Sequence, residues 1–316
     1  MTDHVEIVEV GLRDGLQNEA TAVPASLRAQ WFNALSEAGL NRIEAGSFVS
    51  PKWVPQMADT DSVIQAIARR PGLSVEALVP NQKGLDAALA VEGIDRLAFF
   101  TAASDAFARK NINCTVDESL ERFAPLMKQT KDAGYSVRGY VSCIVGCPYA
   151  GPIEPAAVAH VCEKMMAMGV DDISLGDTIG VARPLEINRV LDAVLPVVPV
   201  ARLALHCHDT YGQALANVLT GLERGVRIFD SAVAGLGGCP YAYGASGNLA
   251  TEDLLYMLDG QGLETGVSLD RVLRLGRRSA GISASRHLLG WLRLLALRLL
   301  DLCVSEGVGT AFQDTL

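Results

Sequence analysis

The sequence predicts an α/β protein built as one (β/α)8 TIM barrel with a C-terminal helical extension, and three observations carry that prediction. Eight short apolar, β-branched segments recur along the chain, their starts about 32 residues apart, which is the length of one strand, one helix and two loops. Amphipathic helical stretches fill the intervals. No Pro/Gly/Ser-rich linker interrupts the alternation, so the expected division is a catalytic barrel over 1–270 and a helical extension over 271–316, packed on the barrel or at a dimer interface.

The strands are read at residues 5–10, 42–46, 74–80, 96–102, 136–144, 171–178, 202–209 and 227–234. Helices are read at 26–38, 60–70, 116–133, 154–168, 184–195 and 214–224. Gly39, Gly134 and Gly169 stand just past three of them, where glycine relieves the left-handed strain of a terminating residue. Ser26 and Pro184 are suitable helix starts. The turn after the first strand, Gly11-Leu12-Arg13-Asp14-Gly15, is charged and lacks the dinucleotide glycine spacing, which opposes an open nucleotide-binding sheet.

Composition narrows the partners. A net charge of −9 argues against nucleic acid, whose counterions only a basic surface displaces. The seven cysteines are odd in number and scattered, unlike a secreted disulfide framework, and strand-like sequence from Val5 leaves no room for an export signal. A cytoplasmic protein is expected. The leucine-rich residues 288–304 are interrupted by Arg293, Arg298 and Asp301, short of the roughly 20 apolar residues of a membrane span. A buried or dimer-forming helix is expected there, hence a homodimer and no membrane partner.

Active sites of such barrels lie where the strands end. Those ends collect Arg13 and Asp14, Glu44 and Ser47, Asn81, Tyr140 and Ser142, Asp177 and Thr178, and His206 and His208. A lone histidine on an apolar strand is read as packed core. His206 and His208, two apart and followed by Asp209, instead project from one face and can grip one ion, while Cys207 faces the other way. Barrel closure brings Asp14 to them, a mixed N/O set that suits Mg2+ or Mn2+ better than a sulfur-rich zinc site.

Five glycines fall within residues 235–248, which reads as an active-site lid, with a surface loop or a phosphate-cradling turn as alternatives. Cys239 favours the lid, because a thiol near a cation can ionise or deliver a proton to a carbanion. Cys143 and Cys147 are expected to pack near the barrel mouth, Cys162 within a helix, and Cys303 by packing, with redox control open if it is exposed.

These motifs resemble the 3-hydroxy-3-methylglutaryl-CoA lyase family over roughly residues 5–267. The resemblance runs through Arg13-Asp14-Gly15-Leu16-Gln17-Asn18-Glu19, Ser47-Phe48-Val49-Ser50-Pro51-Lys52-Trp53, Lys110-Asn111-Ile112-Asn113-Cys114 and Arg138-Gly139-Tyr140-Val141-Ser142-Cys143. It continues through Ser174-Leu175-Gly176-Asp177-Thr178, His206-Cys207-His208-Asp209 and Val233-Ala234-Gly235-Leu236-Gly237-Gly238-Cys239-Pro240-Tyr241, which runs into Gly247-Asn248-Leu249-Ala250-Thr251-Glu252-Asp253.

What the resemblance implies is a divalent-cation-dependent lyase, using Mg2+ or Mn2+, that splits an acyl-CoA substrate into acetyl-CoA and acetoacetate by retro-Claisen cleavage. It implies Asp14, His206, His208 and Asn248 as metal ligands, Arg13 steadying the enolate oxygen, and Cys239 supplying a proton. Glu44, Asp177 and Glu252 would support the cluster, and Gln17, Ser47, Tyr140, Ser142 and Thr178 would contact substrate. The resemblance weakens after about residue 270, which leaves Lys83, Arg277, Arg278 and Arg286 as candidate cations for coenzyme A phosphates or as solvated helix faces.

Three alternatives stay open. A condensing barrel of the isopropylmalate- or homocitrate-synthase type shares the Arg-Asp pair and the His-x-His strand, but gives Cys239 no role and commonly carries a further regulatory domain. A 4-hydroxy-2-oxo acid aldolase is the second, and a noncatalytic metal-binding barrel the third.

Overall fold

Eight parallel strands close into a barrel: β1 (Glu6–Glu9), β2 (Arg42–Ser47), β3 (Ser74–Leu78), β4 (Arg96–Ala102), β5 (Ser136–Ser142), β6 (Asp172–Asp177), β7 (Leu203–Cys207) and β8 (Ile228–Ser231). The computed structural model describes residues 4–19, 21–238 and 247–279. Each strand bonds the next in chain order, and β8 returns to β1 in register from Ile228 beside Glu6 to Ser231 beside Glu9. The eight expected strands are all present, most of them trimmed by one to three residues at an end.

Ten helices surround the barrel among the described residues, because a purely parallel sheet must cover its outer face. Six match the expected set: α1 (Ala25–Glu37), α2 (Thr60–Gln65), α5 (Val116–Asp132), α6 (Pro155–Ala167), α7 (Pro184–Val194) and α8 (Ala214–Glu223). Helix α2 stops five residues short of the expected end. The Ala68 amide donates to Asn33 Oδ1 instead of continuing the helix, and Pro71 disfavours helical geometry at Arg70.

Three helices were not expected, α3 (Gln82–Leu89), α4 (Asp105–Ile112) and α9 (Thr251–Gly260), while α10 (Leu269–Ser279) falls largely in the stretch read as a helical extension. The first two are single eight-residue pieces that side-chain caps start. Asn81 Oδ1 accepts from the Gly84 amide at 3.0 Å, and Ser104 Oγ accepts from Phe107 at 3.3 Å. Asn81, gathered above as a strand-end polar residue, is thus an N-cap. Helix α10 straddles the boundary expected at 270 and is anchored by Ser268 N to Ala38 O at 2.7 Å and Arg271 Nη1 to Glu37 O at 2.7 Å. Residues 288–304 lie outside the described residues, and no described helix is long and apolar enough to cross a membrane.

The barrel interior departs from the usual layers of branched aliphatics. Arg42 meets Glu76 at 2.6 Å and Asp172 at 2.9 Å, Arg96 meets Asp172 at 2.8 Å, and Arg138 meets Asp172 at 3.0 Å and Asp230 at 2.5 Å. These charges come from six strands. Burial pushes the Asp172 carboxyl up, but Arg138, Arg42 and Arg96 outweigh it and hold it at about 2. Removing one member would strand a buried charge, at a cost of roughly 3–5 kcal/mol.

Candidate active site and metal centre

The turn after β1 is one wide π-helical loop, Gly11–Gly15, and it carries the first two functional side chains. Glycine is required at its start because a Cβ on Gly11 would lie 2.5 Å from Glu9 Oε1, to which the Gly11 amide donates at 2.9 Å. Arg13 is buried. Its Nε donates to Glu44 Oε2 at 2.6 Å, its Nη1 donates to Asp14 Oδ1 at 2.6 Å, and its Nη2 has no protein partner among the described residues. Glu44 in turn accepts from the Tyr140 hydroxyl at 2.9 Å. The guanidinium carbons of Arg13 and Arg138 lie 5.2 and 5.1 Å from the Tyr140 ring centre, within cation–π range. Burial lowers the proton affinity of the Arg13 guanidinium, but Glu44 and Asp14 outweigh it, so the group stays charged.

The histidines reach the same point from β7 and the residue after it. Asp14 Oδ2 lies 3.9 Å from His206 Nε2 and 3.7 Å from His208 Nε2, and one ligand atom from each residue falls within 4.8 Å of the other two. Those gaps are too wide for hydrogen bonds. They suit three donors around one cation, whose bonds of about 2.0–2.2 Å set neighbouring donors roughly 3–4 Å apart. The donor set therefore fits a divalent metal. Burial pushes the Asp14 carboxyl up, but Arg13 and the two imidazoles outweigh it and hold it far below the usual carboxylate range, the ionised form a ligand needs.

Asn248 touches the same carboxylate, its Nδ2 donating to Asp14 Oδ2 at 2.9 Å and to Leu236 O at 3.0 Å. A half-turn of that amide presents its oxygen, the end able to ligate a cation. Asp209 stays outside the cluster and accepts from Ala214 N at the start of α8. Cys207 is buried on the core side of its strand, as expected.

A cavity of about 260 Å³ opens over the cluster. Arg13, Asp14, Gln17, Ser47, Tyr140, Ser142, Thr178, His206 and His208 line it together with the apolar Leu78, Phe100 and Val141. Three predicted site residues lie behind that wall instead. Glu44 is fully buried beneath Arg13. Asp177 accepts from the Val181 and Ala182 amides at 3.1 and 2.9 Å, and burial raises its carboxyl above the ordinary value. Glu252 accepts from Ala234 N with both oxygens, at 3.1 and 2.9 Å, so it supports the foot of the Gly-rich loop and not the cation cluster directly.

That foot is strained and doubly held. Ala234 sits in the left-handed region at φ 58°, where a non-glycine residue persists only if its surroundings hold it. Glu9 Oε1 accepts from Val233 N at 2.9 Å and Glu9 Oε2 from the Thr251 hydroxyl at 2.6 Å. A side chain at Gly237, φ +121°, would come 2.7 Å from Asn248 Nδ2. Gly238 lines the cavity, whereas Cys239 lies outside the described residues.

Glu9, Arg138 and Asp230 are the partners that sequence reasoning missed. Each is a charged residue inside an expected apolar strand, Arg138 and Asp230 below the C-terminal ends where candidates were sought and Glu9 at the last position of β1. A charge within a barrel strand was the available signal.

Comparison with known proteins agrees with this geometry. The HMGL-like family model matches residues 4–278. A bovine relative, mitochondrial hydroxymethylglutaryl-CoA lyase of Bos taurus, is 59% identical over 272 residues, 86% of this chain and 83% of that protein. The crystal structure of hydroxymethylglutaryl-CoA lyase from Pseudomonas aeruginosa superposes with a TM-score of 0.89 at 48% identity, covering 93% of this chain and 99% of that one. A lyase of the same name from Acinetobacter baumannii, solved with coenzyme A and 3-methylmalate, gives 0.84 at 38% identity over 89% of this chain and 91% of its own. On sequence and fold together, the chain belongs to the HMGL-like family.

Proposed function

We propose that this site cleaves 3-hydroxy-3-methylglutaryl-CoA to acetyl-CoA and acetoacetate by retro-Claisen chemistry, with Asp14, His206, His208 and the Asn248 oxygen holding a divalent cation. The chain is a carbon–carbon lyase of the hydroxymethylglutaryl-CoA type, as its kinship over most of both chains supports. One observation carries the mechanistic reading. A cation-ready carboxylate–imidazole cluster and an arginine whose Nη2 has no protein partner among the described residues face the same small cavity.

A bound Mg2+ or Mn2+ supplies Lewis acidity that makes the tertiary hydroxyl of the substrate easier to deprotonate. The remaining work falls to the chain's own groups. As the C–C bond breaks, charge gathers on the thioester oxygen, and Arg13 Nη2 is the donor available to meet it. Glu44 and Asp14 hold that guanidinium in place before the charge develops, so little reorganisation is needed. Leu78, Phe100 and Val141 keep the wall apolar, which strengthens the interaction. Cys239 would then protonate the enolate carbon. Gln17, Ser47, Tyr140, Ser142 and Thr178 supply the polar lining that would orient the acyl group.

The coenzyme A tail has a continuation to occupy. A second cavity of about 1020 Å³ shares Val49, Val54, Pro80, Phe100 and Asn111 with the first and adds Lys110 and Arg122. These two cations are the candidates for phosphate contacts among the described residues that line it. Lys83 lines neither cavity, the side chains of Arg277 and Arg278 are not described, and Arg286 lies outside the described residues. Cys114, Cys147, Cys162 and Cys207 are buried with no disulfide among the described residues, which suits the reducing, cytoplasmic setting expected for a homodimer of this chain.

Release of acetyl-CoA from 3-hydroxy-3-methylglutaryl-CoA, with and without chelator, on wild type and Cys239→Ala, tests the proposal. Metal-dependent release that Cys239→Ala slows supports it. Chelator-insensitive release removes the cation from the mechanism, and condensation of acetyl-CoA with a 2-oxo acid in place of cleavage would favour the synthase alternative.

A further inference from the structure

Asp230 lies in the middle of β8, 2% exposed, with both oxygens engaged. Its Oδ1 accepts from Arg138 Nη2 at 2.5 Å, and its Oδ2 accepts from the Ser174 hydroxyl at 2.8 Å and lies 3.2 Å from His206 Nδ1. Parallel pairing sets Asp230 directly beside His206 across β7 and β8. Behind it, Arg138 is tied to Asp172, and Asp172 to Arg42 and Arg96, so the carboxylate cannot drift. The two imidazoles of the cluster are not treated alike. His208 Nδ1 is buried with no hydrogen-bond partner among the described residues, whereas His206 Nδ1 has this anchored acceptor.

We infer that Asp230 is a positioning residue for the cation site, acting through His206. An ionised carboxylate at Nδ1 accepts a hydrogen bond from the ring N–H, which keeps the proton on Nδ1 and leaves Nε2 as the bare nitrogen, and Nε2 is the atom turned toward Asp14. The charged column in the barrel interior thereby ends at a metal ligand, and its rigidity is passed to that ligand's tautomer and ring angle. Ser174 assists by holding Oδ2 in line. The inference rests on the cation reading of Asp14, His206 and His208, and is tested on metal affinity rather than on turnover.

Binding of Mn2+ to the purified protein, followed by the electron paramagnetic resonance of free Mn2+, is compared for wild type, Asp230→Asn, Ser174→Ala, His206→Ala and the Asp230→Asn/His206→Ala pair. Asp230→Asn is expected to weaken binding about 10–100-fold, the range for losing a partner behind a metal-bound histidine. Ser174→Ala, which leaves the Arg138–Asp230 pair intact, is expected to weaken it about fivefold, one hydrogen bond's worth. Once His206 is absent, Asp230→Asn should add less than about threefold, because the positioned ring is gone.

Mn2+ affinity of folded Asp230→Asn within about threefold of wild type overturns the inference, as does an undiminished loss in the His206→Ala background, which would mark a general structural role. If Asp230→Asn does not fold, the same pair of comparisons made with Ser174→Ala decides. Failure of the wild type to bind Mn2+ overturns the cation reading itself, and this inference with it.

Discussion

Replacing Arg13 by lysine separates transition-state stabilisation from metal binding. The arginine fork serves three sites at once: Nε holds Glu44, Nη1 holds Asp14, and Nη2 is left for the substrate. A lysine keeps the positive charge beside Asp14 but offers a single ammonium, which cannot meet both carboxylates and a developing enolate together. The lost term is one preorganised donor, worth roughly 10²–10³ in kcat, or about 3–4 kcal/mol. The retained charge should hold Mn2+ affinity and KM within about threefold of wild type. Single-turnover quench measurements of acetyl-CoA at saturating Mn2+, with metal titrations alongside, read both quantities. A single-turnover rate near wild type, with Mn2+ affinity falling in parallel with kcat, would refute the role given to Nη2.

Stripping divalent metal should abolish cleavage, and restoring Mn2+ at about 100 times its dissociation constant should raise stability by about 2.7 kcal/mol, seen as a higher unfolding temperature; no shift would argue against a preformed site. Burial raises Glu9 to about 7 and Glu252 to about 8, so the folded chain retains protons that the unfolded chain has released, and the stability from these groups should be fully present below about pH 4.5 and be lost as pH rises through 7 and 8. Glu9→Gln should flatten that fall by up to about 3 kcal/mol in urea melts between pH 5 and 9, whereas an unchanged slope would remove Glu9 as its source. Gly180→Ala places a Cβ 2.5 Å from Thr210 Oγ1 and 2.9 Å from Thr210 N at φ +64°, and should cost at least about 2 kcal/mol by denaturant midpoint; a neutral result would mean that the Thr210 backbone yields.

Legibility in the sequence followed the range of the forces involved. Strand order and the barrel came from alternation that every residue of a segment repeats, so errors at single positions did not matter. His206, His208, Arg13 and Asp14 were legible because polar residues at strand ends have no packing reason to be there. Asn81 failed that test: its place at a strand end was real, but its side chain starts α3. Helices α3 and α4 are eight residues each, too short for periodicity to stand out, and only their caps mark them. Asp230 and Glu9 were missed for a different reason. The partners that give them their roles lie 24 and 224 residues away in sequence, at His206 and Val233, and only the closed barrel brings those groups together.

The closure of β1 on β8 is also where structure and chemistry meet. Asp14 follows β1, His206 and His208 belong to the β7 edge of the same seam, and Asn248 arrives on the loop beyond β8. Glu9 stitches this seam by accepting from Gly11 on one side and from Val233 and the Thr251 hydroxyl on the other. Glu252 adds two contacts to Ala234. A chain in which the seam is open therefore has neither the cation cluster nor the foot of the Gly-rich loop. Any ion bound only by the closed form must stabilise that closure by its own binding free energy. The buried acids and a bound cation would then act on the same equilibrium: the acids brace the turns from behind, and the ion would draw together the side chains those turns present.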